Sequence, residues 1–143
     1  NICAVLDASD DGTKLDLKDY RALAGIRRSM RQFLEFSAQA AREAGLTPAQ
    51  HQALLAIKGM AEPVTIGSLA AWLGIRHHSA VGLVDRLAKG KLVARVPDPD
   101  DRRRMRLALT PRADARLAAL SQAHRAELRR FSTALRPLLD VLR

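Results

Sequence analysis

The chain is poor in aromatic residues. One tryptophan, one tyrosine and three phenylalanines make up 3% of its 143 residues. Its core must therefore be built from Leu, Ala, Val and Ile, a composition that favours helices over a β-sandwich. A single cysteine, Cys3, excludes an intrachain disulfide and fits a reducing compartment. No apolar run approaches the roughly 18 residues of a membrane helix. The opening NICAVLDASD has neither the basic start nor the apolar stretch of a signal peptide. The expectation is a cytoplasmic protein with no membrane partner. There is also no P-loop, no Ser-His-Asp set and no paired acid spacing, so neither an enzyme nor a cofactor is expected.

Positive charge is what the chain has in excess. Lys and Arg outnumber Asp and Glu by 24 to 15, a net charge of +9. Such a balance suits a polyanion, whether DNA, RNA or an anionic membrane surface, and charge alone does not choose among them. The length suits one compact domain with or without appended helices, and a chain of this size buries roughly two-thirds of its unfolded surface.

The apolar residues are ordered at helical spacing. Residues 1–14 read as a loose arm, whose first 13 residues end in DASDDGT. From Leu15 to about Glu43 the chain reads as one long helix, with Leu23, Ile26, Met30, Phe33 and Ser37 close to a heptad seam and Gly25 as its only internal glycine. Thr47, Pro48 and Gln50 form a capping-box pattern that opens a helix to about Met60. Thr65 caps a further helix, with Val64 placed to staple onto Leu69. Its apolar positions are Ile66, Leu69, Ala70 and Leu73, and Gly74 stops it. A second short helix follows at once, with Ala80, Leu83, Val84 and Leu87 on one face and Gly90 ending it. Two short helices joined by a tight glycine turn form a helix-turn-helix. The outer face of the second carries His78, Gly82, Asp85, Arg86 and Lys89, with His77 and Ser79 at its start. That face suits a recognition helix in the major groove, and it equally suits an ordinary solvated helix.

The next segment breaks the tie. Leu92 to Val96 reads as a strand, and Arg104 to Leu109 as its partner, with Met105, Leu107 and Leu109 on one face. Between them PDPDDRR is a turn-rich tip. A helix-turn-helix followed by a basic hairpin is a winged helix. The segment 76–106 holds nine Lys or Arg against four Asp, so over half of the excess charge lies in about a fifth of the chain. Arginines at a hairpin tip suit the minor groove, where the potential is most negative. The aspartates beside them are expected to hold guanidinium groups by bidentate pairs, Asp101 with Arg103 in particular. Thr110 and Pro111 then open a terminal amphipathic helix, which Pro137 is expected to kink or divide.

On these residues the chain resembles the MarR family of bacterial transcription regulators. The resemblance runs from about residue 17 to 143. It is carried by DPDDRRRMRLALT and RHHSAVGLVDRL, with LTPAQHQALLAI and TIGSLAAWLGI in order before them. It implies a mainly α fold with a small β-hairpin wing (α+β), divided into a dimerisation helix at 15–45, a winged helix-turn-helix at 46–110 and C-terminal dimerisation helices at 111–143. It implies a homodimer on a pseudo-palindromic double-stranded DNA site and, in many members, a small-molecule effector of phenolic or carboxylate type. The expected DNA-binding residues are Thr65, Arg76, His77, His78, Ser79, Gly82, Arg86, Lys89, Asp98, Asp101, Arg102, Arg103 and Arg104. Arg27, His51 and Trp72 are candidates to line an effector pocket.

Three positions depart from the pattern. Lys91 stands where a glycine usually precedes the strand, Ala113 where glycine is frequent, and Gly82 where a larger residue is common. Cys3 lies outside the first long helix and is given no redox role. His51, His77, His78 and His124 have no carboxylate or thiol at ligand spacing, so no metal site is expected. The competing reading is a basic protein-interaction or anionic-surface-binding module without sequence-specific DNA binding. Salt-dependent duplex binding with a sequence-specific component discriminates the two.

Overall fold

A computed structural model describes residues 14–61 and 63–143. Cys3 and nearly all of the N-terminal arm lie outside the described residues. The elements, in order, are α1 (Leu17–Glu43), α2 (Pro48–Gly59), α3 (Ile66–Leu73), α4 (His77–Lys89), β1 (Val93–Pro97), β2 (Met105–Leu109) and α5 (Pro111–Val141).

Side chains start most of the helices. Thr47 and Gln50 exchange bonds with each other's backbone N–H at α2, and Thr65 and Ser68 do the same at α3. Asp16 and Asp19 form the equivalent reciprocal box at α1. Such boxes satisfy N–H groups that the first turn would otherwise leave unpaired. Thr110 caps α5 through the Ala113 N–H and also donates its own hydroxyl hydrogen to the Lys91 carbonyl at 2.8 Å.

Three helix ends share one geometry. At each, a residue with positive φ turns the chain so that its own N–H and the following N–H reach back to carbonyls of the last turn. Gly45 (φ 75°) and Gly74 (φ 65°) do this for α1 and α3. At the end of α4 the left-handed residue is Lys91 (φ 57°), while Gly90 has φ −78°. The Lys91 N–H donates to Ala88 O and the Leu92 N–H to Leu87 O, both at 2.9 Å. Gly90 caps this helix, as expected, but the left-handed turn falls on the next residue, and a lysine carries the strain that glycine would avoid.

The core lies where α2, α3, α4 and β2 meet. Leu54, Val64, Leu69, Val84, Leu87 and Leu107 are fully buried, each leucine worth about 1.5–3 kcal/mol of burial. The stripe foreseen for α4, Ala80, Leu83, Val84 and Leu87, is buried throughout. β1 and β2 pair antiparallel, with Val93 opposite Leu109 and Pro97 opposite Met105. The apolar face expected on β2 is sunk only at its base. Leu107 is buried, whereas Met105 lies exposed near the tip. Leu92 falls before the strand because its N–H closes α4.

α1 and α5 run antiparallel. Gly25 approaches Leu138, Phe33 packs on Phe131 with ring centroids 5.4 Å apart, and Ser37 meets His124. A Cβ on Gly25 would lie 3.0 Å from Leu138 Cδ1, so this glycine permits the close approach. The foreseen heptad seam divides here. Phe33 and Ser37 face α5, while Leu23 and Met30 point outward and stay exposed. Of the kink or division expected at Pro137, the division is not found, and α5 continues through it to Val141. Proline there removes one bond about a turn from the helix end, a modest loss on an exposed segment.

His51 is 4% exposed and lies against His124, with ring centroids 4.8 Å apart. His124 Nδ1 lies 2.7 Å from the Leu120 carbonyl, which only accepts, so that nitrogen carries the hydrogen. Its Nε2 faces the Ser37 hydroxyl at 2.8 Å. Burial lowers the pKa of His51 below its ordinary value, and the neighbouring His124 lowers it further.

Two measurable consequences follow from this packing. As pH falls below about 6.5, the unfolded chain takes a proton that native His51 refuses, so stability drops until the lowered native pKa is reached, and it is unaffected at pH values above about 6.5. His51→Leu should therefore show a shallower decline in Tm between pH 7 and 5.5, and an equally steep decline would contradict this. Lys91→Gly should raise stability by about 1 kcal/mol by relieving the left-handed backbone, read as a higher denaturant midpoint at unchanged slope. A lower midpoint would contradict the strain.

Candidate nucleic-acid interface

Burying the α4 stripe turns the rest of that helix outward. Arg76, His77, His78, Ser79, Arg86 and Lys89 are all exposed, and Gly82 is half-buried between them. The α4 N-cap is Arg76, and it makes no side-chain capping bond. The first-turn N–H groups of His77, His78 and Ser79 therefore lack the side-chain acceptor that Thr47, Thr65 and Thr110 supply elsewhere. Open N–H groups at a helix start favour an anion such as a phosphate. Thr65 is engaged differently from the other expected contacts. Its hydroxyl is half-buried and bonded within the α3 capping box.

The hairpin is fixed to this helix pair in two ways. The Leu107 N–H donates to the Val64 carbonyl at 2.7 Å, immediately before the α3 cap. Asp85, on the outer face of α4, forms an ion pair with Arg95 of β1. Asp85 was visible as an outward residue in the sequence, but its partner was not, since nothing in the spacing of residues 85 and 95 signals a contact. The pair neutralises a carboxylate on this outer face and links β1 to α4.

At the tip the expectation for the aspartates is corrected. Their partners are backbone N–H groups, and the ion pairs found among the described residues lie elsewhere. Asp98 is 5% exposed. Its Oδ1 accepts from the Asp100 N–H at 2.8 Å and, more weakly, from Asp101 at 3.4 Å. Asp101 Oδ1 accepts from the Arg103 N–H at 3.0 Å. Two main-chain bonds close the loop, from Asp98 N–H to Arg104 O and from Arg104 N–H to Asp101 O, both 2.9 Å. These are Asx-type turns, in which a short carboxylate replaces a backbone acceptor. A carboxylate two residues from an N–H reaches it with less loss of side-chain freedom than it would need to grip a long arginine. Asp98 is thus a buried scaffold, while Arg102, Arg103 and Arg104 stand exposed around it.

The three residues proposed for an effector pocket are not brought together. Arg27 lines an open groove of about 590 Å³ on α1 with Met30, Arg31, Leu34 and Arg42. Trp72 is 66% exposed and lines a separate groove of about 430 Å³ with Gln52, Leu55 and Leu73. His51 belongs to the core. Among the described residues, no group of three or more His, Cys, Asp or Glu is placed to hold a metal ion, and no helix is long and apolar enough to cross a membrane.

Comparison with known proteins agrees with this geometry. The family described as MarR family matches residues 44–104, from the end of α1 through the wing arginines. The uncharacterised HTH-type transcriptional regulator YsmB of Bacillus subtilis (strain 168) is 32% identical over 101 residues, covering 68% of each chain. CouR from Rhodococcus jostii RHA1, solved bound to p-coumaroyl-CoA, is 27% identical with a TM-score of 0.66, over 82% of this chain and 85% of that one. A mutant of S. aureus MepR bound to an oligodeoxyribonucleotide shares the fold, with a TM-score of 0.67 at 18% identity over 82% of this chain and 94% of that one. A helix-turn-helix braced to a basic wing, matched in sequence over two-thirds of a known regulator, places this chain in the MarR family of DNA-binding transcriptional regulators.

Proposed function

We propose that the protein acts in the cytoplasm as a homodimeric, ligand-responsive repressor, without enzymatic activity, on a pseudo-palindromic operator. The observation that carries this reading is the union of α4 and the wing. One helix offers an uncapped N-terminus and an exposed basic face, and the Asp85–Arg95 pair ties it to a hairpin bearing three exposed arginines. α4 enters the major groove, where Arg86 reads a base edge. Arg102, Arg103 and Arg104 lie along the adjacent minor groove or its phosphates.

The dimer is supported by apolar residues left uncovered on α1 and α5. Leu17, Leu23, Met30 and Leu34 are exposed on the first, Leu128, Leu139 and Leu142 on the last. Exposed apolar residues along both terminal helices suit burial against a second copy. The terminal helices of two copies bury it together and set the spacing between two α4 helices. The effector is a phenolic or carboxylate compound. Its support is CouR, solved with p-coumaroyl-CoA, and the Arg27 groove, where Arg27, Arg31 and Arg42 outweigh Glu35 and suit an anion beside Met30 and Leu34. An effector that prefers a dimer geometry unsuited to successive grooves weakens DNA binding by the factor by which DNA weakens its own.

Two substitutions test the reading. Arg86→Ala should cost about 1–3 kcal/mol on the operator and far less on a scrambled duplex, read by anisotropy titration at fixed salt. Equal loss on both would make Arg86 a phosphate contact, and no loss would remove α4 from the interface. Asp101→Asn keeps the Oδ1 acceptor for Arg103 and removes a negative charge. It should therefore tighten binding to any duplex and steepen the salt dependence by about one unit. Asp101→Ala should weaken operator binding, since the turn that presents the arginines loses its acceptor. Weakening by Asp101→Asn comparable to that by Asp101→Ala would instead favour a carboxylate that grips a guanidinium.

A further inference from the structure

Gly82 stands in the interior of α4, where glycine is the least favourable residue after proline. Neither usual structural reason for it applies. Its backbone is not among those with positive φ. A Cβ built there meets a single atom within 4 Å outside the helix backbone, Nη1 of Arg86 at 3.6 Å. That is ordinary contact with the far end of a flexible side chain. Gly25 gives the contrast, since its Cβ would press on Leu138 at 3.0 Å. The free protein would thus accept alanine at position 82 and hold its helix better for it.

The position lies away from the buried stripe of Ala80, Leu83, Val84 and Leu87, one turn before Arg86 on the face proposed to meet DNA. The Arg86 guanidinium folds back along the helix to within contact of the missing side chain. Notch and guanidinium therefore form one feature, a patch of bare helix backbone flanked by a planar fork of donors. A glycine that the fold does not need, beside a donor fork matched to a base edge, is explained by what docks against it.

We infer that Gly82 is a specificity-determining residue, which lets the α4 backbone close on one G·C pair in the major groove while Arg86 bonds guanine O6 and N7. The inference rests on the DNA-binding reading above. α4 is a rigid rod, so a methyl group at 82 that met the groove floor would hold off the whole helix. The guanidinium would then lose the coplanar approach that a two-bond contact to guanine requires.

The test uses full-length protein, an operator selected by the wild type, the same operator with that G·C pair changed to A·T, and a scrambled duplex. Gly82→Ala should raise Tm by about 2–4 °C. It should lower operator affinity about tenfold or more and leave scrambled-duplex affinity within about twofold. It should also bind the G·C and A·T operators alike. The double variant Gly82→Ala/Arg86→Ala should bind no more weakly than Arg86→Ala, because both changes disable one contact. Wild-type operator affinity in a stabilised Gly82→Ala would overturn the inference, as would equal loss on the scrambled duplex or a lowered Tm. If wild-type protein prefers no duplex sequence at all, it is the proposed function that fails, and the two failures are told apart by the wild-type titration alone.

Discussion

The geometry of the DNA-reading lobe depends on how the hairpin is anchored at Leu107. That residue is 1% exposed in the core that also holds Leu54, Leu69 and Leu87. Its N–H is bonded to Val64, the residue preceding the α3 cap. The same residue thus sits in the core beside α2 and ties β2 to the start of the helix-turn-helix. From it the strand runs outward, Met105 becomes exposed, and the tip is carried clear of the core. A two-stranded hairpin is marginal in water by itself, so burial of Leu107 and Val93 beneath it keeps the wing in one orientation relative to α4. The Asp85–Arg95 pair is exposed and worth little to stability, and it acts on the angle between the two parts.

Charge and turn chemistry are separated within the wing. The aspartates beside consecutive arginines look like neutralising partners, yet the carboxylates of Asp98 and Asp101 accept from main-chain N–H groups. Backbone amides are fixed in number and direction, so a carboxylate that accepts from them locks the loop whatever the arginines do. The guanidinium groups are left with their donors directed at solvent, which a polyanion can take up. The cost is local negative charge close to phosphate. At Asp98 burial confines that charge, and at Asp85 Arg95 neutralises it.

Much of the helical architecture was legible because its signals are local. Period-3.6 apolar stripes, Thr-Pro openings and Gly74 each act within one or two turns; the α4 stripe is buried throughout, and that of α3 is buried at Leu69 and Ala70 and half-buried at Ile66 and Leu73. The Asp16–Asp19 box was missed because it uses two aspartates where Ser or Thr with Glu or Gln is usual. Gly90 ends α4 as its residue type suggests, but residue type does not show that the left-handed turn falls on Lys91. Contacts between distant residues left no trace in spacing. Arg95 with Asp85, Lys58 with Asp114 and His51 with His124 are of this kind. Arg27, His51 and Trp72 are grouped only through the pocket that the family resemblance implies, and the fold places them in a groove on α1, in the interior and in a groove between α2 and α3. The family motif made the DNA-binding segment recognisable, but it carries no geometry for the wing aspartates, whose backbone role appears only once the loop is closed.

The central claim is that α4 and the wing of two copies read one duplex. Selection of bound sequences from a random duplex pool by the purified protein tests it most directly. The expected outcome is an enriched pair of inverted half-sites whose centres lie about one helical turn, roughly 10 base pairs, apart, containing a G·C pair whose replacement weakens binding. Recovery of a pool with no enriched sequence, held only through salt-sensitive charge, would contradict the account.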